Sequence, residues 1–142
     1  MKARITVVTL GVADLNRSRK FYCEGLGWRA SSTSNDHITF IDTGGIVLAL
    51  YPRELLAKDA KVDPNGSGFS GIALAHNVAS TSEVDEGLEA AQKAGAKILK
   101  PAETAFWGGY SGYFADPDGF AWEVAYNPHW QLDADGRVVL PE

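Results

Sequence analysis

The same order of elements can be read twice along these 142 residues, and that duplication limits the folds open to the chain. The first copy opens with the β-branched run Ile5-Thr6-Val7-Val8-Thr9-Leu10, which reads as a strand. Asp14 is a good helix N-cap. Leu15, Ser18, Tyr22 and Leu26 follow at close to helical spacing, with Gly25 and Gly27 placed to close the helix. Trp28 to Ala30, His37 to Asp42 and Ile46 to Tyr51 read as three further strands, separated by turn-forming stretches at Ser31 to Asp36 and Thr43-Gly44-Gly45. In the second copy Gly71 to His76 reads as a strand, and Ser80 with Glu83 three positions on is a capping-box signature. Val84, Leu88 and Ala91 make a helical apolar stripe that Gly95 ends, and Ala96 to Lys100, Gly112 to Ala115 and Ala121 to Tyr126 are the remaining strands.

Each copy is therefore a βαβββ module, the first over about 4–52 and the second over about 69–128. A linker at 53–68, with a short helical turn from Arg53 to Lys58, joins them, and a tail follows at 129–142. One module leaves a face of its sheet without a helix to cover it. The expected architecture is α+β: one domain over 1–142, with the two tandem modules forming a curved eight-stranded mixed sheet, helices outside and a central cleft inside. A cleft between packed modules is a common place for a small molecule.

Bulk properties narrow the function classes. The net charge is −5 with scattered basic residues, which argues against nucleic acid, since phosphate binding needs clustered Lys and Arg. Cys23 is the only cysteine, which excludes an intrachain disulfide and the Cys-rich zinc motifs. Ile5 to Val12 is too short and too polar for an export signal, and no apolar run could span a bilayer, so a cytoplasmic protein without membrane contact is expected.

Two segments resemble the signatures of the vicinal oxygen chelate superfamily, which includes glyoxalase I, the bleomycin resistance proteins and dioxygenases. Gly11-Val12-Ala13-Asp14-Leu15-Asn16-Arg17-Ser18-Arg19-Lys20-Phe21-Tyr22, followed by Leu26-Gly27-Trp28, is similar to its opening motif. Gly112-Tyr113-Phe114-Ala115-Asp116-Pro117-Asp118-Gly119-Phe120-Ala121-Trp122-Glu123 is similar to its closing one. The resemblance covers roughly Ile5 to Pro128 and implies the duplicated fold read above. It also implies a homodimer, as superfamily members commonly form. Phe21, Tyr22 and Trp28 are expected in the core.

In the metal-dependent relatives each of four inner strands carries one His, Gln or Glu ligand. Carried over residue by residue, those positions fall at Val7, at about Leu48, at about Gly71 and at Glu123. Only Glu123 is a donor, and Val47, Ala49, Ile72 and Ala73 beside the uncertain positions are not. One carboxylate does not hold a catalytic divalent ion against water. The expectation is therefore no cofactor and no metal, with a divalent metal as the alternative. His76 lies on the wrong strand parity to help, and His129 lies beyond the last strand.

By strand alternation Val7, Thr9, Leu48, Leu50, Gly71, Ala73 and Glu123 are expected to line the cleft. Trp107, Tyr110 and Tyr113 are expected to contribute rings, the first two from a glycine-hinged loop that could cover a planar or cationic ligand. Glu123 in such a wall could bind a cationic or hydrogen-bond-donating group or act as a general acid–base catalyst; the bland alternative is a structural carboxylate bonded to a nearby Tyr or to the backbone. The function that best fits is metal-free binding of a small aromatic or cationic molecule. A metal-dependent lyase, isomerase or dioxygenase is the first alternative, and a ligand-free structural or regulatory dimer module the second.

Overall fold

A computed structural model describes residues 5–70 and 72–140. The chain is α+β and divides into two compact units, 1–68 and 69–142.

In the first unit β1 (Val7–Val12) leads to Asp14, whose side chain accepts the Arg17 N–H at 3.0 Å and starts α1 (Leu15–Arg19). The helix then widens into a π-helical stretch, Lys20–Gly25, closed by Leu26 N–H donating to the Phe21 carbonyl at 2.9 Å. Widening the turn puts Phe21 and Tyr22 side by side in the core, their rings edge to face at 5.0 Å, with Trp28 tilted against Tyr22 at 5.6 Å. β2 (Thr39–Asp42) and β3 (Val47–Pro52) complete a sheet ordered β1-β3-β2, with β1 parallel and β2 antiparallel to β3. Leu10, Val12, Thr39, Ile41, Leu48 and Leu50 are its buried residues on one face. Arg19 donates to the Thr39 hydroxyl at 2.9 Å, which fixes α1 over that face.

Two expectations for this unit need correction. Trp28 to Ala30 is no strand; it contributes a single bridge, Ala30 to Ile41. Gly27 turns the chain at φ +73°, and the Asn35 side chain accepts the His37 and Ile38 N–H groups, so pairing resumes only at Thr39. The expected linker turn is an eight-residue helix, α2 (Arg53–Ala60), packed on β1 and β3. Gly11 admits it: a Cβ there would stand 3.3 Å from both Arg53 Cα and Leu56 Cδ2.

The second unit keeps the plan more fully. β4 (Ala73–Asn77) is followed by α3 (Thr81–Lys93), capped by Ser80, which accepts the Glu83 N–H at 3.3 Å, while Glu83 accepts the Ala79 N–H at 3.1 Å. β5 (Lys97–Thr104), β6 (Tyr110–Ala115) and β7 (Ala121–Tyr126) follow, in the order β4-β7-β6-β5 with β4 parallel to β7. The β6–β7 turn is closed by Asp116, whose buried carboxylate accepts from Asp118 and Phe120 N–H at 2.9 Å each, with Gly119 at φ +87°. Val84, Leu88 and Ala91 of α3 are buried, and Val124 lies against Gly87. Phe114 and Trp122 are also buried, their rings stacked at 6.1 Å on the face that Val124 shares. The tail, for which the sequence pattern predicts no element, forms a small hairpin of β8 (Gln131–Leu132) and β9 (Val138–Val139).

The order β1-β3-β2 reappears as β4-β7-β6, and the Ala30 bridge to β2 occupies the place that β5 takes beside β6. The duplication is thus real at the level of topology. The strand ladders, however, form separate sheets of three, four and two strands instead of the single eight-stranded sheet expected.

Candidate functional site

In the second unit α3 covers one face of the four-stranded sheet, and the other face carries no helix of that unit. Register decides which side chains stand on the helix-free face. Ala73 and Ala75 pair with Ala121 and Glu123, Asn77 pairs with Ala125, and across β6 Ser111 and Tyr113 pair with Ala125 and Glu123. The result is a bed of small side chains with one acid and one phenol at its centre. Tyr113 and Glu123 stand opposite each other in the ladder, the phenol close enough to feel the carboxylate, and both residues are half-buried. Burial, then the charge of Glu123 and the hydrogen bond to it, push the Tyr113 phenol above its ordinary value. The carboxylate has lone pairs for further donors beside the phenol.

Ala73, Tyr113 and Glu123 therefore share the face on which alternation puts Ala73 and Glu123, and His76 stands on the opposite face, paired with Val124. Gly71 lies outside the described residues. Ala75, Asn77 and Ser111 belong to the same face and escape the sequence reading, although parity with Glu123 and Tyr113 would find them.

Other expected positions are divided. Parallel pairing sets Val7 and Thr9 opposite Val47 and Ala49, whereas Leu48 and Leu50 stand opposite Val8 and Leu10. Leu48 and Leu50 are thus core residues under α1, 3% and 0% exposed, and do not share a face with Val7 and Thr9. A slip of one residue along β3 accounts for the error, because it exchanges the two faces of a strand. Tyr110 is likewise on the helix side: its hydroxyl donates to Asp85 of α3 at 2.9 Å, and its odd offset from Tyr113 puts the two rings on opposite faces. Nor is its loop hinged. Ala105 and Gly109 close it as a hydrogen-bonded turn, Gly108 N–H donates back to Ala105, and the Trp107 indole lies against Gly109, where a Cβ would fall 1.7 Å from the ring. The glycine is what Trp107 packs on, and Phe106 beside it is fully exposed.

The donor set does not fit a divalent metal. The counterpart of Val7 on β3 is Val47 or Ala49, both hydrocarbon, which leaves Glu123 as the one donor side chain among the described positions carried over from the metal-dependent pattern. Among the described residues no three His, Cys, Asp or Glu side chains gather as a metal site would require. Cys23 offers no nucleophile either, since burial first of all raises its thiol pKa.

A duplicated βα plan with a carboxylate on the helix-free face in the middle of the last large strand defines a glyoxalase-like protein. The chain belongs to the Glyoxalase/Bleomycin resistance protein/Dioxygenase superfamily, whose family model matches residues 4–124. A glyoxalase-related enzyme from Fulvimarina pelagi is 40% identical and superposes with a TM-score of 0.90, over 99% of this chain and 100% of that one. A glyoxalase/bleomycin resistance protein/dioxygenase from Nocardioides is 25% identical with a TM-score of 0.74, covering 99% of this chain and 91% of its own. A lactoylglutathione lyase from Agrobacterium tumefaciens, 21% identical with a TM-score of 0.68 over 89% of this chain and 96% of its own, shares the fold. No curated protein matches the chain. Among the described residues no helix is long and apolar enough to cross a membrane.

Proposed function

We propose that this chain binds a small aromatic or cationic molecule on the helix-free face of its second sheet, at Tyr113 and Glu123, without a divalent metal. One observation carries the reading: Tyr113 and Glu123 face each other on paired strands among small side chains, on a face that no helix of this unit covers. An amine or other donor would complete the hydrogen bonding of Glu123, and a flat apolar body would rest on Ala73, Ala75 and Ala121.

The Fulvimarina pelagi relative is described as a glyoxalase-related enzyme, and that favours a second reading in which Glu123 is a catalytic base with Tyr113 as its proton partner. Thermal shift with aromatic amines, repeated on Glu123→Gln and Tyr113→Phe, tests the first. Stabilisation of the parent that both variants lose supports it, and no stabilisation by any amine, with tight retention of stoichiometric nickel, zinc or iron, would overturn it in favour of a metal-dependent lyase, isomerase or dioxygenase. β4 and β5 end the second sheet, so self-association through an edge is expected and we propose a homodimer in the cytoplasm. Light scattering that finds a monomer at micromolar concentration would refute the dimer.

A further inference from the structure

The β5 ladder is irregular on both sides of Lys100. Ile98 stands opposite Phe114, so a regular ladder would next bring Leu99 opposite Tyr113; Lys100 stands there instead. Beyond it, regular pairing would bring Ala102 opposite Ser111, and Glu103 takes that place. Each bulge inserts one residue in β5 and turns a charged side chain, in place of an apolar one, onto the face that bears Tyr113 and Glu123. A single row then crosses the sheet: Lys100, Tyr113, Glu123, Ala75.

The Lys100 ammonium lies 3.0 Å from the Glu103 carboxylate, with the lysine side chain 38% exposed and the glutamate 64%. An ion pair this open contributes little to stability, so stability does not account for two distortions of one strand. Strands lie about 4.8 Å apart, which puts the backbones of Lys100 and Glu123 roughly 10 Å from each other, a distance that the lysine stem shortens by about half. A positive and a negative group thus stand on one flat surface at the separation of the two ends of a small molecule.

We propose that Lys100 is the charge-selecting residue of the site, and that the ligand is a small zwitterion. Its acidic group meets the Lys100 ammonium, displacing the exposed Glu103; its amine meets the Glu123 carboxylate; its apolar body lies over the alanines. The proposal rests on the small-molecule reading of this face. Its rival is that Lys100 only blunts the edge strand β5 against aggregation, a use to which both lysines and bulges are put.

Three probes separate these: phenylalanine, phenethylamine, which lacks the acid, and 3-phenylpropionate, which lacks the amine. Binding to the full chain is followed by amide chemical shifts of Lys100, Tyr113 and Glu123. Phenylalanine is expected to bind about tenfold more tightly than phenethylamine, the worth of one charge-assisted hydrogen bond. Lys100→Met should abolish that preference, and Glu103→Gln, which frees the ammonium, should enlarge it. If phenethylamine binds as tightly as phenylalanine and Lys100→Met changes nothing, the proposal is overturned while the small-molecule reading stands. If Lys100→Met aggregates yet keeps the preference, Lys100 guards the edge and the proposal is likewise overturned. If no probe moves any of the three amides, the small-molecule reading of this face fails and takes the proposal with it.

Discussion

Gly112→Ala is the sharpest single test of how the second sheet is built. A Cβ at this position would lie 2.6 Å from Leu88 Cδ1, 2.8 Å from the Lys100 carbonyl and 2.9 Å from the Ala102 nitrogen. In an unconstrained strand the change would help slightly, since alanine costs about 0.5–1 kcal/mol less than glycine to order. Here overpacking opposes it, at about 1–3 kcal/mol. Two of the three close atoms are main chain of the β5 bulge and cannot swing aside, so the upper part of that range applies and a net loss of about 2 kcal/mol is expected. At about 3–6 °C per kcal/mol for a chain of this size, Tm should fall by roughly 6–12 °C, with a matching drop in the urea midpoint and an unchanged m-value. Adding Leu88→Ala should recover less than about 1 kcal/mol of the glycine penalty, because the backbone contacts remain. The amide of Lys100 should also shift, since relief of the clash requires its bulge to move. A variant as stable as the parent, or a double variant in which the penalty vanishes, would show that the bulge between Lys100 and Glu103 does not press on Gly112 and would remove the basis for putting Glu103 opposite Ser111.

Three further outcomes are expected. Tyr113 should lose its proton at higher pH than an ordinary phenol, so the stability it contributes is complete below the ordinary phenol pKa near 10 and is lost as pH rises through the elevated value. Glu123→Gln, followed by phenolate absorbance in a Tyr110→Phe background, should bring this titration only part of the way down, because burial is its larger cause; an unchanged titration would deny the hydrogen bond. Ser80→Ala removes the acceptor for Glu83 N–H and should cost about 0.5–2 kcal/mol by urea denaturation, with Ser80→Gly milder by comparison. Phe106→Ser should leave stability within about 0.5 kcal/mol of the parent, since its ring touches solvent on every side; a larger loss would mean that the ring is covered in solution.

The parts of the fold legible in the sequence are those where one local cause decides. Asp14 and Ser80 start helices because their side chains accept the N–H groups of a first turn, and both are legible on that ground. The Asp116-Pro117-Asp118-Gly119 turn is legible because few residues other than glycine accept φ +87°. Trp28 to Ala30 misleads for the converse reason. Its composition suits a strand, but a strand needs a partner along its length, and the polar turn after it pulls the chain away after one bridge. The π-helical stretch is illegible too, because one extra residue in a turn shifts the apolar spacing too little to separate it from an α-helix.

The site divides in the same way. Glu123 and Ala73 can be put on one face because a strand without irregularity preserves parity from end to end. Leu48 and Leu50 cannot, because β3 is apolar on both faces and nothing in it marks which parity faces α1; only pairing with β1 settles that, through the burial of Leu10. Lys100 is the extreme case. Counted along an unbroken β5 from Lys97, it falls on the helix side, and each of two bulges reverses the parity of the residues beyond it. Across from the second bulge, on the neighbouring strand, stands Gly112, whose missing side chain leaves room for the Lys100 carbonyl and Ala102 nitrogen to press inwards. A glycine in the closing motif thus admits the bulge that turns Glu103 onto the face of Tyr113, so the side-chain pattern of β5 depends on a residue of the neighbouring strand.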